Sequence, residues 1–125
     1  MPPDLLKRDH DLIRKILLTI EDHPHGFAPN LKIDGYSDEQ VGYHANLLID
    51  AGYANGSTTG GFGTPSPEGL ITSLTWAGHE FADAARDDKL WKKAMGIVKD
   101  KGGSVTMDVL KELLTSLMKA AIGLP

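Results

Sequence analysis

The sequence predicts a mainly α-helical α+β fold: a helix, a short extended stretch, a second helix and a two-stranded hairpin, followed by three C-terminal helices. Three observations predict it. Apolar residues recur at three- and four-residue spacing in five separate windows. Two short runs, Tyr53-Ala54-Asn55 and Leu70 to Leu74 with its β-branched Ile71 and Thr72, flank a stretch rich in glycine, serine, threonine and proline, from Gly56 to Gly69. Pro24, Gly26, Asp34-Gly35, Gly52 and Gly102-Gly103 punctuate the chain between those runs.

The first helix is expected from about Asp9 to Asp22, with Leu12, Ile13, Ile16, Leu17 and Ile20 on one face. Asp9 and Asp11 lie in its first turn, where the positive end of the helix dipole favours carboxylates. The stretch from Ala28 to Ile33 reads as extended, an edge strand at best, because Pro29 has no N–H for a ladder. Ser37-Asp38-Glu39-Gln40 has the pattern of a capping box and opens a second helix. Its inner stripe is Val41, His44, Ala45, Leu48 and Ile49, and Gly52 is its expected left-handed cap.

Tyr53-Ala54-Asn55 is expected as a short strand, Gly56 to Gly69 as a loop and Leu70 to Leu74 as the return strand. Thr75 is placed to cap a third helix, Trp76 to about Arg86, with Trp76, Phe81, Ala84 and Ala85 toward the core. Asp87 or Asp88 opens a fourth helix that reaches about Lys101, with Leu90, Trp91, Ala94, Ile97 and Val98 inward. The last helix is expected from about Met107 to Ile122.

A chain of 125 residues fits one domain, and one is expected over residues 1–125. Hydrophobic content of 41% and a mean hydropathy of -0.20 are those of a globular protein. With no cysteines, disulfides, thiolate metal sites and cysteine nucleophiles are excluded, which suits a reducing cytoplasm. No run approaches the roughly 20 apolar residues of a membrane span, and Met1 to Asp9 does not read as a signal peptide. A cytoplasmic location is therefore expected.

The element order over residues 9–86 is that of a winged helix short of one helix, with residues 87–125 as C-terminal helices. Val41, His44, Leu48 and the Ala51-Gly52 exit resemble the recognition helix and first wing strand of arsenical-repressor-type winged helices. A longer likeness spans most of the chain. It runs through Lys7-Arg8-Asp9, Leu12 to Leu17, Gly35-Tyr36-Ser37, Tyr43-His44, Leu47-Leu48-Ile49, Leu74 to Phe81, Ala85 to Asp88 and Trp91 to Ala94. On these residues the chain resembles an uncharacterised bacterial and phage family, catalogued as a domain of unknown function. That resemblance implies a bacterial or prophage origin and no activity.

Charge bears on what such a unit would bind. The net charge is -4, whereas a dedicated nucleic-acid binder is usually basic, at least locally. From Asp38 to Gly52 there is no lysine or arginine, while Asp38, Glu39 and Asp50 are acidic. The expected outward face carries Glu39, Gly42 or Tyr43, Asn46 and Asp50, and Glu39, Gln40, Tyr43 and Asn46 are the candidate partner- or DNA-reading residues. Gln40 and Asn46 have the chemistry to read an adenine, yet carboxylates repel phosphates, which supply most non-specific affinity for DNA. The hairpin loop holds Glu68 and no cation. Its Phe62, one aromatic among glycines, is a candidate partner contact. Positive charge gathers instead between Arg86 and Lys101, where Arg86, Lys89, Lys92 and Lys93 make a candidate basic patch. On a helix such a run most simply forms a solvated face.

The remaining candidates are weaker. His23, His25, His10, His44 and His79 have no metal-ligand spacing, and no metal site is expected. Glu80 and Asp83 share a helix face without a nucleophile, and Gly60-Gly61-Phe62-Gly63 lacks the ending of a phosphate loop. No catalytic residue, cofactor, membrane or small-molecule substrate is expected. On the last helix, Leu110, Leu113, Leu114, Leu117 and Met118 form a stripe wider than one side of a small domain needs. It is expected to mediate homodimerisation. The sequence thus favours a non-enzymatic module that binds a protein partner or itself. The alternative is a small dimeric DNA-binding transcription regulator, the role to which winged helices commonly lean.

Overall fold

The computed structural model describes residues 6–60 and 65–125. Among them run α1 (His10–Glu21), α2 (Asp38–Asp50), β1 (Ala54–Thr59), β2 (Glu68–Leu74), α3 (Trp76–Ala84), α4 (Asp88–Asp100) and α5 (Met107–Ala121). The class is mainly α with one antiparallel hairpin after the second helix, as the sequence predicts. The chain divides into two compact units, Met1–Glu80 and Phe81–Pro125.

In the first unit, α1 begins because the Asp9 carboxylate accepts the Leu12 N–H at 3.1 Å, filling one of the helix's open donors. Leu12, Ile13, Ile16, Leu17 and Ile20 are all buried. Ser37 and Gln40 close a reciprocal capping box at the start of α2: the Gln40 N–H reaches Ser37 Oγ at 3.1 Å, and Gln40 Oε1 accepts the Ser37 N–H at 2.9 Å. Val41, His44, Ala45 and Leu48 form the buried face of α2. Gly52 ends it with φ 85°, a conformation that disfavours any Cβ. The Gly52 N–H bonds Ile49 O and the Tyr53 N–H bonds Leu48 O, the crossed pair that terminates a helix on a left-handed glycine.

Two strand expectations are corrected. First, the stretch from Ala28 to Ile33 is not a strand. The Ala28 N–H donates to Thr72 O at 2.8 Å, but the next residue is Pro29, which has no N–H to continue a ladder. Second, the hairpin is longer than its composition predicts. β1 runs on through Gly56–Thr59 and β2 starts at Glu68, so the connection is 60–67. Ala54 lies opposite Leu74 and Thr59 opposite Glu68, with an irregularity between Asn55 and Gly56. Inter-strand hydrogen bonds hold a Gly-Ser-Thr run that local propensity alone reads as a loop. Thr75 then joins two elements: its hydroxyl donates to Gly52 O at 2.6 Å and accepts the Gly78 N–H at 3.2 Å.

In the second unit, Asp87 caps α4 through the Leu90 N–H at 2.9 Å, and Thr106 caps α5 through the Val109 N–H at 3.2 Å. Trp91, Ala94 and Val98 are the buried stripe of α4, and α5 packs along that helix with Leu110 and Leu114 buried. Both helices end as α2 does, on the crossed pairs Gly102–Lys99 and Gly103–Val98, then Gly123–Ala120 and Leu124–Lys119.

Trp76 is a further correction. It is expected in the core but is 80% exposed. The buried positions along this segment are Gly78, Phe81, Ala82 and Ala85, a helical stripe. Trp76 lies two residues before Gly78, hence about 200° around the helix, on the opposite face.

Candidate recognition surface on the second helix and hairpin

The expected outward face of α2 is covered, in part, by its own hairpin. Gly69 of β2 lies so close to α2 that a Cβ there would collide with the backbone nitrogen of Asn46. Gly42 on α2 is the matching notch, where a Cβ would meet Glu68 Cγ at 3.2 Å. These two small residues let the strand approach the helix backbone, and two polar contacts accompany that approach.

Glu39 Oε2 accepts the hydroxyl of the buried Ser66 at 2.8 Å. Asn46 Oδ1 accepts the Thr58 hydroxyl at 2.8 Å. Gln40 is committed along its own helix: its side-chain oxygen holds the Ser37 N–H, and its carbonyl oxygen accepts from His44 Nδ1 at 2.8 Å. Tyr43 stands edge-on to His44, with ring centroids 6.0 Å apart. Of the expected face, then, Glu39, Gln40 and Asn46 each commit a side-chain oxygen to a hydrogen bond inside the chain. Phe62 lies outside the described residues. Ser66 and Thr58 belong to this surface and are missed by sequence reasoning, which places Glu68 in the hairpin loop without seeing that it meets α2. The one sequence signal for them is the pair of glycines at 42 and 69.

The charge of the surface is negative. Between Ile33 and Glu80 there is no lysine or arginine, against the carboxylates of Asp34, Asp38, Glu39, Asp50, Glu68 and Glu80. Lys32, the nearest cation in sequence, is held by Asp38, its Nζ lying 3.1 and 3.2 Å from the two carboxylate oxygens. Lys15 stacks 5.5 Å over the Tyr36 ring. The two lysines line one shallow cleft together with Asp22 and Asp34, so positive charge there is matched by carboxylates. Over the unit Met1–Glu80, five lysines and arginines face eleven aspartates and glutamates.

Next to this surface His44 is buried, while His10 and Tyr36 are half-buried. His44 is 1% exposed, and its Nε2 accepts the Asp9 N–H at 2.9 Å. Beside it, burial pushes His10 below the usual histidine range and Arg8 adds to the effect, against Asp9 and Asp11. Burial, with Asp9 and Asp11 nearby, raises the Tyr36 phenol above its ordinary value. A cleft of about 240 Å³ opens between residues 29–32, α2 and the start of β2, with Leu31, Val41, Ala45 and Ile71 in its lining.

Each of the other sequence candidates has its own surroundings. Arg86, Lys89, Lys92 and Lys93 are exposed at the start of α4 and on its surface. His23 and His25 approach with ring centroids 5.6 Å apart, and His79 Nδ1 lies 3.0 Å from Glu21 Oε2. Among the described residues no three histidine, aspartate or glutamate side chains come together to hold a metal ion. Nor is any helix of these residues long and apolar enough to cross a membrane. On α5, Leu110 and Leu114 are fully buried within the chain, which removes them from the expected dimer stripe. Leu113, Leu117 and Met118 are half-buried.

Comparison with known proteins adds a family and no chemistry. Residues 7–104 match a family model described as "Hypothetical protein (DUF2513)". An uncharacterized protein of Haemophilus influenzae is 31% identical over 122 residues, covering 90% of this chain and 96% of its own. No solved structure matches.

Proposed function

The chain belongs to the DUF2513 family, and from its surface we propose that it is a non-enzymatic, winged-helix-like binding module of a bacterial or prophage protein that acts through protein–protein contact. The observation that carries this reading is the α2–hairpin surface, a braced surface rich in carboxylates and free of lysine and arginine from Ile33 to Glu80. Such a surface complements a basic or polar protein partner and repels a polyanion. The engagement of Asn46 by Thr58 and of Gln40 by Ser37 supports the same reading, since a DNA-reading helix needs those amides free.

Two measurements test it. Cross-linking in the native host, followed by mapping of the linked residues, is expected to place a partner on Glu39, Tyr43 and Glu68. Glu39→Lys and Glu68→Lys are each expected to reduce its capture. Selection from a randomised duplex pool at low salt is expected to enrich nothing. A palindrome enriched by the native protein and lost in Asn46→Ala would overturn the proposal in favour of a dimeric transcription regulator.

A further inference from the structure

With Leu110 and Leu114 used inside the chain, α5 still shows a second line, of apolar and small residues. Val109, Leu113, Ser116 and Ala120 follow one another at spacings of four, three and four, the a/d pattern of a two-helix seam. The line lies about 100° around the helix from the Leu110–Leu114 stripe. It faces water: Val109 is 53% exposed, Leu113 is half-buried, Ser116 and Ala120 are exposed, and Leu124 just beyond is 54% exposed.

Taking Leu113 as an a position puts Glu112 and Lys119 both at g, flanking the seam on its solvent side. Glu112 and Lys119 are seven residues apart, about 10 Å along the axis, and do not pair with each other. Among the described residues neither makes an ion pair within the chain. Two copies of this helix laid parallel would set Glu112 near Glu112 and Lys119 near Lys119. Laid antiparallel about a two-fold axis between Leu114 and Thr115, they bring Glu112 toward the second copy's Lys119, twice. The same register sets Val109 against Ala120 and Leu113 against Ser116, a large side chain against a small one at each layer.

From this we propose that α5 pairs with α5 of a second copy of this chain, antiparallel, through Val109, Leu113, Ser116 and Ala120, with Glu112–Lys119 ion pairs on its flank. The proposal is independent of the protein partner assigned above, because it uses only residues of the second unit. The seam is four layers long, below the roughly 1,200 Å² of a standard interface, so the dimer is of the weak, reversible kind.

Sedimentation equilibrium of the full chain from about 10 µM to about 1 mM spans the range in which such a dimer dissociates. A reversible monomer–dimer equilibrium is expected. Glu112→Lys and Lys119→Glu each place like charges on the flank and are expected to weaken dimerisation roughly ten-fold. The double variant Glu112→Lys/Lys119→Glu restores both pairs and is expected to return within about three-fold of the native constant. All three changes are on exposed positions, so far-ultraviolet circular dichroism is expected to be unchanged. A native chain that stays monomeric throughout the range overturns the proposal. So does a double variant as weak as either single one, or single variants that dimerise as the native chain does.

Discussion

The Nε2 of His44 on α2 accepts the backbone N–H of Asp9, the capping residue of α1, at 2.9 Å. That N–H can only donate, so the ring proton sits on Nδ1, where it bonds the Gln40 carbonyl at 2.8 Å. One neutral imidazole therefore ties the start of α1 to the second turn of α2, and it does so while 1% exposed.

Replacing that ring removes both bonds and leaves the part-buried Asp9 N–H without this partner, while the Gln40 carbonyl keeps its place in the hydrogen-bond ladder of α2. His44→Phe keeps an aromatic ring but no ring nitrogen and is expected to cost about 2–3 kcal/mol, the usual penalty for a buried unsatisfied donor. Urea denaturation followed by circular dichroism measures this, and a loss under about 0.5 kcal/mol would show that the bonds carry no net stability.

Acid is expected to weaken the same junction. His10 Nε2 is buried and has no hydrogen-bond partner among the described residues, and the His10 pKa lies below its ordinary value of 6.5 because of burial first and Arg8 second. The unfolded chain then takes up a proton near pH 6.5 that the folded chain still refuses. Stability is complete above that value and declines as the pH falls from it toward the lower folded pKa. Thermal midpoints measured from pH 8 to pH 5 are expected to drop on the acid side, and His10→Gln is expected to flatten that drop.

Gly69→Ala is expected to lift β2 from α2. The added methyl meets the backbone of Asn46 and Ala45 rather than a side chain that can swing away. The expected cost is about 1–3 kcal/mol, as for overpacking elsewhere. Hydrogen exchange of the β1 and β2 amides is expected to accelerate while the amides of α5 keep their protection.

The two tryptophans are expected to report opposite environments. Trp76 is 80% exposed and Trp91 is 4% exposed. Acrylamide is expected to quench one component of the fluorescence readily, and Trp76→Phe to remove that component. Trp76→Ala is expected to change stability by less than about 0.5 kcal/mol. Phe81→Ala, at a position with no exposure, is expected to cost about 3–5 kcal/mol.

Much of this architecture could be read without coordinates. The five helices, the capping box at Ser37 and the left-handed stop at Gly52 depend on residues within a few positions of one another, and their chemistry is stated locally. The absence of lysine and arginine across the second helix is likewise a property of the string. Trp76 could not be placed this way, because a large apolar residue at a helix start fits either face and only the position of Gly78 against Tyr53 chose one.

The surface of α2 depended on partners far along the chain. Glu39 meets Ser66, Asn46 meets Thr58, and Glu68 lies over Gly42, separations no local pattern encodes. They arise because strand pairing carries β2 back across the helix and two glycines permit contact at backbone distance. Local propensity sets which segments coil, extend or turn. Which groups remain available to a partner is set by long-range packing, since a polar atom already satisfied inside the fold has little left to offer outside it.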